Sequence, residues 1–125
     1  MTDFSIAGTQ STPEIRSDWD AGKLYMKGDS YPENSYELFN QIFDWIEHFL
    51  AEQDRPLRLE LHLLYLNTSS IKAMMDIFDV LEAAHEQGKP VAVDWFYDQR
   101  NERVAELAEE FREDCTFPFQ IVSNA

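Results

Sequence analysis

Asn67-Thr68-Ser69-Ser70 sets three hydroxyls and an amide between the apolar run Leu64-Tyr65-Leu66 and a segment of helical periodicity. Such a run can do two kinds of work. It can cap a helix, because Asn, Thr and Ser oxygens accept from the unpaired N–H groups of a first turn, typically for about 1 kcal/mol. It can also carry a phosphate, since those N–H groups and the helix dipole favour an anion. Phosphorylation of Thr68 would bring roughly −1.5 to −2 charges to that end. Lys72, one turn on, is the only Lys or Arg in the segment and is placed to help hold such a group. The capping-box form is absent, because no Glu or Gln lies three residues beyond Asn67, Thr68 or Ser69. Both roles fit, and one hydroxyl can serve in each.

No other chemistry assembles from spacing. His48, His62 and His85 fall on separate elements and lack a metal-ligand pattern, so no metal is expected. Cys115 has no basic neighbour in sequence and no C-x-x-C partner, and reads as a small buried hydrophobe. As the only cysteine it excludes an intramolecular disulfide, which suits a reducing compartment. Nucleotide and nucleophile-elbow motifs are missing, so neither a cofactor nor catalysis is expected. Asp76 and Asp79 would need further ligands to hold a metal. Glu102, Glu106, Glu109, Glu110, Glu113 and Asp114 are interspersed with Arg103 and Arg112 and read as a solvated face.

The formal net charge of −14 disfavours nucleic acid and anionic membrane surfaces as partners. It serves solubility, or presents an acidic face that selects basic partners. Met1 to Gln10 does not read as a signal peptide, and no run approaches the roughly 18 apolar residues of a membrane span. A cytoplasmic protein without membrane insertion is expected.

The elements that must position the Thr68 run follow from periodicity. Phe4 to Ile6, Thr12 to Trp19 and Lys23 to Lys27 read as a β-meander, and Gly28 to Asn34 as a polar loop. Glu33 to Glu52 is helical, and its apolar stripe is wider than one core contact needs. A helix half-buried between sheet and neighbouring helix explains that width; otherwise Leu38 and Trp45, at its edge, touch a partner. Leu57 to Leu66 alternates as a strand buried on one face, turning fully apolar and doubly buried at Leu64-Tyr65-Leu66. A second helix runs to about Gln87, with Gly88 after it. Val91 to Tyr97 is a strand, Asn101 caps a helix to about Asp114, and Phe117 to Val122 is the last strand. Residues 1–125 thus predict one α/β domain. It has a mixed sheet, an N-terminal β-meander followed by α-β-α-β-α-β, and helices mainly on one face.

Three long motifs are also familiar: Gly28-Asp29-Ser30-Tyr31-Pro32-Glu33-Asn34-Ser35-Tyr36, Leu64-Tyr65-Leu66-Asn67-Thr68-Ser69-Ser70 and Asp94-Trp95-Phe96-Tyr97-Asp98. They resemble the SiaC family of bacterial regulatory phosphoproteins over essentially the whole chain, including Asn101 to Cys115. By architecture the strand–N-T-S-S–helix turn is also similar to the phosphorylated turn of STAS-like anti-sigma-factor antagonists. The resemblance implies a partner-switching protein phosphorylated on Thr68 by a SiaB-type Ser/Thr kinase and restored by a SiaA-type metal-dependent phosphatase. Its unmodified form would bind and activate a SiaD-type diguanylate cyclase, raising cyclic di-GMP and favouring aggregation or biofilm growth. Asn67, Ser69, Ser70 and Lys72, with Tyr31, Pro32, Glu33 and Asn34, are the expected interface residues. Two rival readings remain: a homodimeric adaptor in which Thr68 is only a helix cap, and a small enzyme using Asp76 and Asp79.

Overall fold

Alternating strands and apolar helical stripes resolve into one six-stranded sheet and three helices in the computed structural model, which describes residues 2–124. In chain order these are β1 (Ser5–Ile6), β2 (Glu14–Asp18), β3 (Lys23–Ser30), α1 (Ser35–Glu52) and β4 (Leu57–Leu66). There follow α2 (Thr68–Glu86), β5 (Val91–Asp98), α3 (Glu102–Glu113) and β6 (Phe119–Asn124). The strands lie in sequence order across the sheet. β1, β2 and β3 pair antiparallel as the expected meander, and β3 to β6 pair parallel.

Sequential order explains why the helices share a face. Each parallel step passes through one helix to the next strand over, and right-handed crossovers repeated in one direction stack on one side. Burial agrees. Leu57, Leu59, Leu61 and Leu63 of β4 and Val91, Val93 and Trp95 of β5 are buried with residues of all three helices. The alternate residues form the outer face, where Lys23 pairs with Glu60, Arg58 pairs with Asp94 and His62 stacks on Phe96. The hydrogen bond from Lys23 holds the Glu60 carboxyl below its ordinary value.

The wide stripe on α1 is explained from within the chain. Leu38 and Trp45, candidates for partner contact, are both buried. The Trp45 ring meets Trp19 and Phe49, and its Nε1 donates to Asp3 Oδ1 at 3.1 Å. The N-terminal segment thus covers the flank of α1 that sheet and α2 leave open.

Several boundaries differ from the sequence reading. β1 starts at Ser5, β2 spans Glu14–Asp18, α1 starts at Ser35, β5 runs to Asp98, β6 runs from Phe119 to Asn124, and β3 continues through Gly28 to Ser30 where a loop is predicted. Leu64 and Tyr65 are not doubly buried either: they are 48% and 49% exposed. A bulge causes this. Gly28 lies opposite Leu63 but Asp29 lies opposite Tyr65, so Leu64 is an extra residue that breaks the two-residue period. Gly28, at φ +121, supplies the backbone conformation that the bulge needs on its partner strand.

Gly22 closes the β2–β3 turn at φ +66, and its carbonyl accepts from Arg58 N at 2.8 Å. A Cβ there would lie 2.3 Å from the Pro56 carbonyl oxygen. Gly22→Ala should therefore lower stability by about 1–3 kcal/mol or more, read as a lower urea midpoint with an unchanged slope. Because folding lowers the Glu60 pKa, that carboxylate contributes fully at neutral pH. Its contribution is lost as pH falls from the ordinary glutamate value through the folded one. Glu60→Gln should flatten the corresponding acid limb of a stability–pH curve.

Candidate functional site

The carboxyl ends of β3 and β4 lie side by side, so the turns leading into α1 and α2 meet there. Parallel β/α folds place their sites at this edge. The bulge frees the Leu64 carbonyl, and Asn101 Nδ2 donates to it at 3.1 Å. Asn67 N donates to Ser30 O at 2.9 Å, which carries the strand pairing up to the first residue of the turn.

Asn67, not Thr68, is the N-cap of α2. Its Oδ1 accepts from Ser70 N at 2.9 Å and from Ser69 Oγ at 3.1 Å. An amide oxygen with two lone pairs takes both donors. This corrects the reading in which Thr68 serves as the cap.

The three hydroxyls that follow have different fates. Ser70 is fully buried and shares a 2.7 Å hydrogen bond with the equally buried Ser30 hydroxyl. Ser69 is held by Asn67 and by Ser35 Oγ at the start of α1. Thr68 is exposed as the first residue of α2, and its hydroxyl has no hydrogen-bond partner among the described residues. It therefore combines access with a free oxygen at the positive end of a 19-residue helix.

The β3–α1 turn lies alongside. Tyr31 N donates to Ser11 O at 2.7 Å, and the Tyr31 ring meets the Tyr65 ring edge-on at 6.0 Å. Pro32 is buried, Glu33 is exposed, and Asn34 Oδ1 caps α1 by accepting from Glu37 N. The turn that carries Tyr31 to Asn34 is joined to the Thr68 turn by the flanking pairs Ser30–Ser70 and Ser35–Ser69. Sequence reasoning singled out neither Ser30 nor Ser35. The available signal was topological: both serines follow β3 just as the Thr68 run follows β4. Tyr36, in the first turn of α1, is 79% exposed, and with Phe39, Phe43 and Ser69 it lines a cleft between α1 and α2.

Lys72 is committed locally, with Nζ 2.7 Å from Asp76 Oδ1 on the exposed surface. A phosphate on Thr68 would compete with that carboxylate for it. Arg103, at the start of α3, lines the cleft on the other side together with Thr68. Asp76 and Asp79 line different clefts, one beside α1 and one beside α3. They do not converge on a common ligand position. The three histidines are each used elsewhere: His48 with Asp44, His62 with Glu60, His85 against Phe117. Cys115 is half-buried, and its Sγ donates to Phe111 O. Burial, then the charges of Glu82, Asp114 and Asp79, push its thiol up to about 11, so little nucleophilic thiolate exists at neutral pH. Among the described residues no helix is long and apolar enough to cross a membrane.

Three comparisons bear on this site. A model of the SiaC family, described as SiaC family regulatory phosphoprotein, matches residues 6–124. An uncharacterized protein of Pseudomonas aeruginosa strain UCBPP-PA14 is 71% identical over 124 residues, covering 99% of this chain and 98% of that protein. The crystal structure of apo-SiaC from Pseudomonas aeruginosa matches with a TM-score of 0.94 at 69% identity, over 98% of this chain and 99% of that one. A chain in the crystal structure of the diguanylate cyclase SiaD in complex with its activator SiaC, from the same organism, matches with a TM-score of 0.95 at 70% identity. That match covers 98% of this chain and all of the other.

The separation of cap from free hydroxyl is measurable. Asn67→Ala should cost about 1 kcal/mol of unfolding free energy, whereas Thr68→Ala should stay within about 0.5 kcal/mol of the parent. Ser70→Ala, which strands the buried Ser30 hydroxyl, should cost about 1–3 kcal/mol. Urea titrations of the three variants test the order, and a larger loss at Thr68 than at Asn67 would return the cap to Thr68.

Proposed function

Because the chain belongs to the SiaC family of regulatory phosphoproteins, we propose that it is a non-enzymatic switch whose state is set by a phosphate on Thr68. A SiaB-type Ser/Thr kinase adds the phosphate and a SiaA-type metal-dependent phosphatase removes it. The unmodified protein binds and activates a SiaD-type diguanylate cyclase in the cytoplasm, raising cyclic di-GMP and favouring aggregation or biofilm growth. The relative solved with SiaD is described as that cyclase's activator, which supports this choice of partner.

One observation carries the choice of acceptor. Of the three adjacent hydroxyls, only that of Thr68 is both exposed and unbonded. Phosphorylating Ser70 would break a buried hydrogen bond, and phosphorylating Ser69 would displace its contacts to Asn67 and Ser35. A phosphate on Thr68 displaces no hydrogen bond made by that hydroxyl among the described residues, competes with Asp76 for Lys72, and meets the free N–H groups of the first helical turn. The role of bare helix cap has less to recommend it, since Asn67 holds that position.

The same group is costly inside an interface. A dianion cannot be taken out of water cheaply unless it is paired, and the surrounding molecule carries a net charge of −14. A partner seated over Thr68 must supply cations or leave. The free protein thus tolerates phosphate while the complex does not, which is the asymmetry a switch requires.

Co-expression with the SiaB-type kinase should add about 80 Da to the intact mass and localise to Thr68. Thr68→Ala should abolish that shift yet retain cyclase binding, and Thr68→Glu should weaken binding by about tenfold or more. Equal cyclase affinity for modified and unmodified protein would sink the proposal.

A further inference from the structure

The first turn of α2 has little left to offer a phosphate. Ser70 N donates to Asn67 Oδ1 at 2.9 Å and Ile71 N donates to Asn67 O at 2.9 Å. Among the described residues, that leaves only the N–H groups of Thr68 and Ser69 in this turn uncommitted. Lys72, the single Lys or Arg of α2, is 2.7 Å from Asp76 and lines the cleft on the α1 side. On the α3 side Thr68 shares its cleft with Glu106 and Glu110, which would repel a dianion. Arg103 is the one Lys or Arg among the residues lining that cleft. It is exposed, and no ion pair engages its guanidinium among the described residues. Its own helix does not favour it there either. The first turn of α3 is a positive dipole end, which suits Glu102 and disfavours a cation.

We propose that Arg103 is the receptor, within the same chain, for a phosphate on Thr68. Its guanidinium joins α3 to α2 by donating two charge-assisted hydrogen bonds to the phosphoryl oxygens. The inference rests on the phosphate switch and deepens it, by naming the group that makes the phosphate tolerable in the free protein. Arginine suits the task, because its planar fork of donors matches two oxygens of one phosphate and keeps its charge throughout the working pH range. Both supports are already fixed. Asn101, the cap of α3, donates through Nδ2 to the Leu64 carbonyl, and α2 is tied to β3 by the Ser30–Ser70 bond. Pairing with one guanidinium still leaves net negative charge beside Glu106 and Glu110, so a partner seated over Thr68 meets repulsion as before. The pair also takes from that partner the cation this cleft would otherwise present.

Phosphothreonine installed at position 68 during translation gives the modified full chain without any kinase. Its phosphorus-31 resonance, followed against pH, reports the second ionisation of the phosphate. Phosphate monoesters lose that proton at about pH 6, and a cation paired with the dianion holds the step lower. Arg103→Gln should therefore raise the apparent pKa by about 0.5–1 pH unit. Arg103→Lys, which keeps the charge and loses the fork, should recover part of that difference. Lys72→Gln should move the titration less than Arg103→Gln. The gap between parent and Arg103→Gln should narrow in about 1 M salt. In the unmodified chain Arg103→Gln should leave the urea midpoint unchanged, which separates phosphate pairing from a structural role. Superimposable titrations of parent and Arg103→Gln would overturn the inference, as would a larger change from Lys72→Gln. A kinase-dependent mass shift mapped to a residue other than Thr68 would defeat the switch itself, while the titration still decides the pairing.

Discussion

A hydrogen bond between two buried serines, Ser30 at the end of β3 and Ser70 in the first turn of α2, fixes the geometry of the edge that carries Thr68. Neither hydroxyl has access to water, so each depends on the other, and separating them would strand both. The bond joins two successive β/α units where their strands stop. The bulge at Leu64 shifts β4 by one residue against β3 and brings Leu66 opposite Ser30, which sets the register in which the bond forms. Asn67 N donating to Ser30 O then completes the clamp. A strand, a bulge, a cap and a buried serine pair thus hold the turn in one place. Thr68 is the residue left outside these bonds, an exposed hydroxyl on a rigid support.

The sheet has one covered face and one open face, and the division has chemical consequences. The outer face brings Lys23 to Glu60 and Arg58 to Asp94, so its charges are largely spent on one another. The helix layer keeps most of the unbalanced charge. A partner approaching the helices meets a negative field with apolar clefts cut into it; Thr68 lines one of those clefts and its neighbour Ser69 another. Adding phosphate there extends an existing charge, so its effect on a bound partner is that of repulsion and desolvation at a contact point.

Much of this was legible in the residues. The period-two pattern of Leu57 to Leu63 gave the strand and its buried face, and the right-handed crossover placed the helices together. The run Asn67 to Ser70 marked a helix start. What escaped were the features that depend on pairing between distant segments. No local pattern shows that Leu64 is an extra residue, because the bulge exists only in the register of β4 against β3. The same holds for Ser30 and Ser35, ordinary polar residues until parallel pairing sets them beside Ser70 and Ser69. Partner contact stays open as an alternative for Trp45 in the sequence because its cover, Asp3 and Trp19, comes from segments distant in the chain. The assignment of the cap failed for a different reason: any of Asn67, Thr68 or Ser69 satisfies the rule. Only the backbone decides, and Asn67 is the last extended residue before the helix.

Under the proposed switch, that one-residue offset between cap and free hydroxyl carries the functional logic. A capping hydroxyl at Thr68 would spend its lone pairs on the helix, and phosphorylation would trade a stabilising bond for a new charge. With Asn67 as cap, the first turn of α2 keeps its support in both states of Thr68. Modification then changes the charge of the surface without unravelling the element that presents it. A signal of this kind reaches a partner as a change in interface free energy alone, with the fold on either side of the switch the same.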